Sequence, residues 1–278
     1  MSSLSRQLAA LSATEVVNSL GAGQAPLRLR QALALPFFAL SRRLGNTLAA
    51  MDEAISTRGL PAAAAGALTE LRVALRTSGR APAAACLVLA NHPGAYDALA
   101  VVSALERPDL LILAADRSFL RALPQLSQHL VFVGQRPGER AAALKRAVSC
   151  LRGGGAVLHF PAGEIEPDAD FEPQDARWLK PWQPGAGVLL RACAKVGGRV
   201  VLAGVRGVHS PSAKRLLINR WAERRGVTTV APLLQMAGKL RDVVVKVRCV
   251  DAGSASELLD ADAEARLRKR LREAIRQA

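Results

Sequence analysis

From residue 84 onward, short apolar runs of strand length alternate with segments patterned as helices, and this alternation narrows the fold more than any other feature. The runs fall at 85–90, 110–114, 130–134, 156–160, 199–205 and 242–250, with helical patterns near 95–106, 117–128, 139–152, 185–197 and 211–225. Within 139–152, Leu144, Val148 and Leu151 share one face, and Gly153-Gly154-Gly155 marks the end. Runs that are apolar throughout suit strands covered on both faces. The expected fold class is therefore α/β, a mostly parallel central sheet flanked by helices, with an N-terminal helical segment.

The residues before this pattern read differently. Residues 1–25 suggest a short helix and a loop. Across 27–56, Leu33, Phe37, Leu40, Leu44, Leu48 and Met51 recur at helical steps, and Pro36 should kink that helix or start a second one. Arg28, Arg30, Arg42 and Arg43 flank its most apolar part. A basic helix of this kind can dock on a lipid interface or pack on a protein core, and amphipathicity alone fits both. Residues 59–67, rich in Ala with Pro61 among them, read as a link, and 68–75 as helix again. A charged helix with a stripe of Leu267, Leu271 and Ile275 ends the chain. The organisation expected is a helical, membrane-apposed segment over 1–80, an α/β domain over 81–252 and a C-terminal helix over 253–278.

The net charge of +15 is uneven. Residues 1–80 hold nine Arg against four acids, 81–175 eight bases against eleven acids, and 176–278 twenty-one bases against eight acids. Basic flanks around a mildly acidic middle suit an anionic surface, whether lipid, acidic carrier protein or nucleic acid. Aromatic residues make up only 4% of the chain, too few and too scattered to stack bases, and no helix-turn-helix or zinc framework is apparent, so nucleic acid is the least favoured partner. Cys86, Cys150, Cys193 and Cys249 lie far apart without ligand spacing, which points to free thiols in a reducing compartment and to no metal site. The N-terminus lacks a signal-peptide pattern. The longest stretch without a charged residue, 81–96, is shorter than the roughly 20 apolar residues of a spanning helix. The expected location is cytoplasmic, peripheral on the inner face of a membrane.

Chemistry concentrates where strands end. Asn91-His92-Pro93-Gly94-Ala95-Tyr96-Asp97 follows the run 85–90 and precedes a helix, the place where open α/β sheets carry active-site residues. A carboxylate in the first helical turn is favoured by the helix dipole, and Asp97 can reach back to the His92 imidazole. That contact would fix the tautomer and leave one ring nitrogen to take a proton. The bare spacing is weak, since both residues could simply cap a helix. A second junction, His159-Phe160-Pro161-Ala162-Gly163-Glu164, has small residues that let a ligand approach the backbone, followed by Glu166, Asp168 and Asp170. At a third, Gly134-Gln135-Arg136 places an Arg to meet an anion such as phosphate.

Taken in order, these three segments resemble the glycerolipid acyltransferase family, which includes the 1-acylglycerol-3-phosphate O-acyltransferases. The resemblance covers about 80–210. It extends to Trp182-Gln183-Pro184-Gly185-Ala186-Gly187 and to the strand over 199–207. It implies that His92 is the general base for an acceptor hydroxyl and that Asp97 orients it. The acyl thioester, acyl-CoA or acyl-carrier protein, would be attacked directly, with no cofactor bound. Asn91, Arg136, Phe160, Pro161, Gly163 and Glu164 would contact a lysolipid acceptor, Arg136 through its phosphate. Two departures stand out: the family's Phe-Pro-Glu-Gly reads Phe-Pro-Ala-Gly here, with a carboxylate at Glu164, and Leu202 stands near a usual Pro. Both concern the acceptor, so an acylated amino-acid lipid is a second candidate. A family member that only binds lipid is a third. His129 and His209 read as structural or exposed, and His159 as a buried strand residue.

Overall fold

The computed structural model describes residues 2–18, 25–94, 96–171, 178–217, 235 and 242–278, the side chains of Leu27, Pro36 and Leu40 excepted. Among them, seven strands form one sheet in the order β1-β7-β6-β2-β5-β3-β4. They are β1 (Ala74–Ser78), β2 (Cys86–Ala90), β3 (Leu110–Ala115), β4 (Leu130–Val133), β5 (Ala156–His159), β6 (Arg199–Arg206) and β7 (Val244–Ser254). Every pairing is parallel except β6 with β7. The C-terminal ends of β2 to β6 therefore share one edge of the sheet, joined there by the start of β7.

The central strand β2 shows why the sheet is buried on both sides. All five of its residues are buried. Val88 and Ala90 join a core with α2 (Leu27–Arg58), α3 (Leu60–Glu70) and α4 (Asp97–Leu105). Leu87 and Leu89 point the other way, into a core with α6 (Pro137–Arg152), α7 (Gly185–Lys195) and the C-terminal helix α9 (Ala263–Arg276). Each fully buried Leu is worth about 1.5–3 kcal/mol relative to exposure.

The N-terminal region departs from expectation in three places. First, α2 runs unbroken from Leu27 to Arg58, so no second helix starts at Pro36. Its apolar stripe divides: Leu48, Met51 and Ile55 are buried in the core, whereas Leu29, Leu33 and Leu35 remain exposed. The first helix, α1 (Ser3–Val17), lies against α2 so closely that a Cβ on Gly45 would stand 2.7 Å from the Ser5 carbonyl oxygen. Second, 59–67 is not a link but most of α3, with Pro61 in its first turn, where its missing N–H costs nothing. Third, 68–75 is not one helix. Arg72 takes a left-handed φ of 60°, and β1 follows as an edge strand, so the sheet begins before residue 81.

Further along, 117–128 holds only α5 (Ser118–Arg121) and a 3-10 turn, Leu126–His129, on either side of Pro124. Of the helix expected over 211–225, α8 (Pro211–Arg215) is present and 218–225 lies outside the described residues. No helix among the described residues is long and apolar enough to cross a membrane.

Candidate active site

The site is built from the end of β2. Asn91 is fully buried, and its amide bonds both backbone polar groups of Val205 in β6: Nδ2 donates to the carbonyl at 2.8 Å and Oδ1 accepts the N–H at 2.7 Å. Asn91, expected among the substrate-binding residues, carries the β2–β6 pairing one residue further by way of its side chain. With both ends of the amide committed, it is placed to hold His92.

His92 comes next. Its Nδ1 lies 2.7 Å from Asp97 Oδ2, with the His92 side chain 29% exposed and that of Asp97 2%. Asp97 is the first residue of α4. Its Oδ2 also accepts the Gly94 N–H at 2.7 Å, and Oδ1 accepts the Ala98 N–H at 2.6 Å. Gly94 has a φ of +88°, which turns the chain back so that a single carboxylate reaches both the ring and the loop. Because Asp97 only accepts, Nδ1 carries the proton and Nε2 the lone pair. Nε2 makes no hydrogen bond among the described residues. The Phe160 ring lies against the imidazole, centroids 4.7 Å apart and planes tilted by 36°. Burial weakens the imidazole's basicity, but the charge and hydrogen bond of Asp97, with the charge of Glu166, more than offset it and leave the His92 pKa above 6.5.

After β5 the chain forms a turn in which the Gly163 N–H donates to the Phe160 carbonyl at 3.1 Å, and Gly163 takes a φ of +71°. Pro161 accepts from the Gln183 N–H at 2.7 Å, and Ala162 is buried. Four carboxylates follow at every second position. Glu164, 62% exposed, pairs with Lys180 Nζ at 3.0 Å. Glu166 is buried; its Oε2 accepts the His92 N–H and its Oε1 the Lys180 N–H, each at 3.0 Å. Asp168 is buried; Oδ1 accepts the Gly207 N–H at 2.8 Å, and Oδ2 lies 3.3 Å from His209 Nδ1. Asp170 meets Arg206 at 3.5 Å and Lys246 at 3.2 Å. This acidic strap crosses the sheet edge and fastens the ends of β2 and β6 and the beginning of β7.

Arg136 stands apart from the His92 cluster. It caps the start of α6, its guanidinium is 85% exposed, and Glu139 lies 3.8 Å away. It lines an open cleft of about 400 Å³ at the ends of β3 and β4, with Asp116, Arg117, Gly134 and Glu139. The other histidines are held locally: His129 Nδ1 lies 3.2 Å from the Leu110 carbonyl, and His209 is paired with Asp168. His159 Nε2 is shut off from solvent without a hydrogen-bond partner, and burial lowers its pKa to about 4. The described residues hold no group of three or more His, Cys, Asp or Glu suited to a metal.

Residues 72–203, which contain the His92–Asp97 pair and the Phe160–Gly163 turn, match the family model described as Acyltransferase. This domain belongs to the acyltransferase family. Over 98% of this chain and 97% of the other, the chain is also similar to the crystal structure of the 1-acyl-sn-glycerophosphate (LPA) acyltransferase PlsC from Thermotoga maritima, with 14% identity and a TM-score of 0.48. No curated protein matches the sequence. Within the acyltransferase domain, His92, Asp97 and Phe160 come together, whereas Glu164 turns outward to Lys180 and Arg136 lies in its own cleft. The carboxylate that reaches the His92 loop is Glu166. Its neighbours in sequence signalled only a patch of acids, and nothing local distinguished the buried one.

Proposed function

We propose that this acyltransferase moves a fatty acyl group from an acyl thioester, acyl-CoA or acyl-carrier protein, to the hydroxyl of a lysophospholipid-like acceptor. The observation that carries the reading is the His92–Asp97 contact of 2.7 Å at the end of β2, which leaves Nε2 to take a proton. In the proposed step Nε2 removes the acceptor's hydroxyl proton as that oxygen attacks the thioester carbonyl. The C–S bond breaks, and the thiolate leaves with the proton returned from His92. Asp97 keeps the ring in its tautomer and favours the imidazolium. A positioned base contributes roughly 10²–10⁴-fold.

The cleft beside Arg136 is the proposed seat of the acceptor's anionic head group. One observation favours a second acceptor class. The cleft sets Arg117 and Arg136 against Asp116 and Glu139, a balance of charge that also suits a zwitterionic head group, such as an amino acid acylated on its α-nitrogen that keeps its carboxylate and a side-chain ammonium. The proposed location is the inner face of an anionic membrane, supported by the exposed Leu29, Leu33 and Leu35 beside Arg28 on α2.

Purified protein mixed with acyl-CoA or acyl-carrier protein and either lysophosphatidic acid or an N-acylated amino-acid lipid should release thiol and form the diacyl product. Failure with all four combinations, or a His92→Ala variant as fast as the parent, would overturn the proposal.

A further inference from the structure

We infer that Glu166 is a positioning residue for the general base, because it holds both backbone polar groups of His92. Its carboxylate Oε2 accepts the His92 N–H at 3.0 Å, and its own N–H donates to the His92 carbonyl at 2.7 Å. The inference rests on the acyl-transfer reading for its consequence in turnover, but its geometry stands without it.

Asp97 controls the imidazole from the ring side. That single contact leaves the ring free to pivot about the Nδ1–Oδ2 line if the main chain beneath it shifts. Glu166 removes this freedom from the opposite end, so Nε2 is defined by two anchors on different elements. Reaction rates are sensitive to such placement, a 1 Å error costing up to about 10²-fold. The anchor is itself fixed: Oε1 accepts from Lys180, and the flanking carboxylates of the strap are tied to Lys180, Gly207, Arg206 and Lys246.

Glu166 also brings charge. The groups that face His92 are Asp97 from α4, Glu166 from the strap and the Phe160 ring from the end of β5, while the Lys180 ammonium is occupied by Glu164. Burial raises the Glu166 pKa, offset in part by the N–H groups of His92 and Lys180. Both carboxylate oxygens accept N–H groups, so the site favours the ionised form, and that charge supports the imidazolium that forms when the proton is taken.

The test uses the full chain and two variants, Glu166→Gln and Glu166→Asp, each checked for folding by circular dichroism. Glu166→Gln keeps the shape but turns an NH2 group toward one of two N–H donors. The His92 imidazole is titrated by NMR, and kcat and KM are measured by thiol release from acyl-CoA with lysophosphatidic acid. For Glu166→Gln the His92 midpoint should fall by up to about one unit. Its kcat should fall about tenfold or more, with KM for both substrates within about twofold of the parent. Glu166→Asp retains the charge but is shorter, so it should keep the midpoint and lose kcat; if Glu166→Gln does not fold, this variant decides. A parent-like titration and kcat in a folded Gln variant, or a parent-like kcat in the Asp variant, overturns the inference. The titration needs no turnover, so a parent protein inactive on every acceptor counts against the proposed reaction and not against the clamp.

Discussion

Asn91 and Val205, 114 residues apart, exchange two buried hydrogen bonds of 2.8 and 2.7 Å, an amide standing in for the next step of a strand ladder. Removing that side chain leaves a buried N–H and a buried carbonyl without partners, each worth about 1–3 kcal/mol. Asn91→Ala should therefore lower the urea midpoint by an amount equivalent to roughly 2–4 kcal/mol, with the slope unchanged. Turnover should fall with it, because the His92 loop loses its root. Activity lost at unaltered stability would instead assign Asn91 to substrate.

The pH dependence of turnover follows from the His92–Asp97 pair. The base must be neutral to accept a proton, and its pKa lies above 6.5, so kcat/KM should rise with pH along a limb centred above that value. In the folded protein the same raised pKa contributes stability that is present below 6.5 and lost as pH rises through the folded value. Asp97→Asn removes the charge and the tautomer lock. It should lower kcat by about 10²–10⁴-fold and move the limb to lower pH. A pH series of initial rates reads both.

Acid should weaken the protein at a residue that the proposed chemistry does not use. His159 has a pKa of about 4 because its ring is buried, so the folded state resists protonation. The associated stability is complete above about 6.5 and disappears as pH falls toward 4, on the order of 3 kcal/mol in all. Chemical denaturation at pH 7 and near pH 4 should show a smaller loss in His159→Leu than in the parent.

Arg136 should govern affinity for the acceptor and leave the chemical step alone. Arg136→Ala is expected to raise KM for lysophosphatidic acid severalfold or more, while KM for the thioester and kcat hold. An unchanged acceptor KM would move the head group elsewhere.

The exposed leucines of α2 give a separable prediction. Replacing Leu29, Leu33 and Leu35 together by Ser should reduce sedimentation with anionic vesicles while the melting temperature stays within a few degrees, since none of the three is in the core. Equal binding by parent and variant would exclude this face.

The strands β2 to β6 were readable in the sequence because parallel strands covered on both sides must be apolar throughout. The His92–Asp97 pair was readable because both members lie within a single turn-and-helix start. What escaped depended on distant partners. The edge strand β1 has four exposed residues out of five, so no apolar pattern announces it. The role of Asn91 requires Val205, far along the chain. Glu164 drew attention by standing next to Gly163, yet Glu166 is the one buried against His92, because alternate side chains of the strap face the same way but meet different strand ends.

The position of β7 has a bearing on how the protein is made. Among the described residues β1 has no neighbour in the sheet except β7, and their register pairs Ala74 with Val244. A ribosome delivers the N-terminal strand long before the strand that receives it. Until residue 244 and those beyond have emerged, 74–78 is an unsatisfied ribbon whose open edge invites pairing with other chains. A strand made late is thus the one that ties the first strand into the sheet. A nascent chain stalled before β7 should be the form most readily captured by a chaperone.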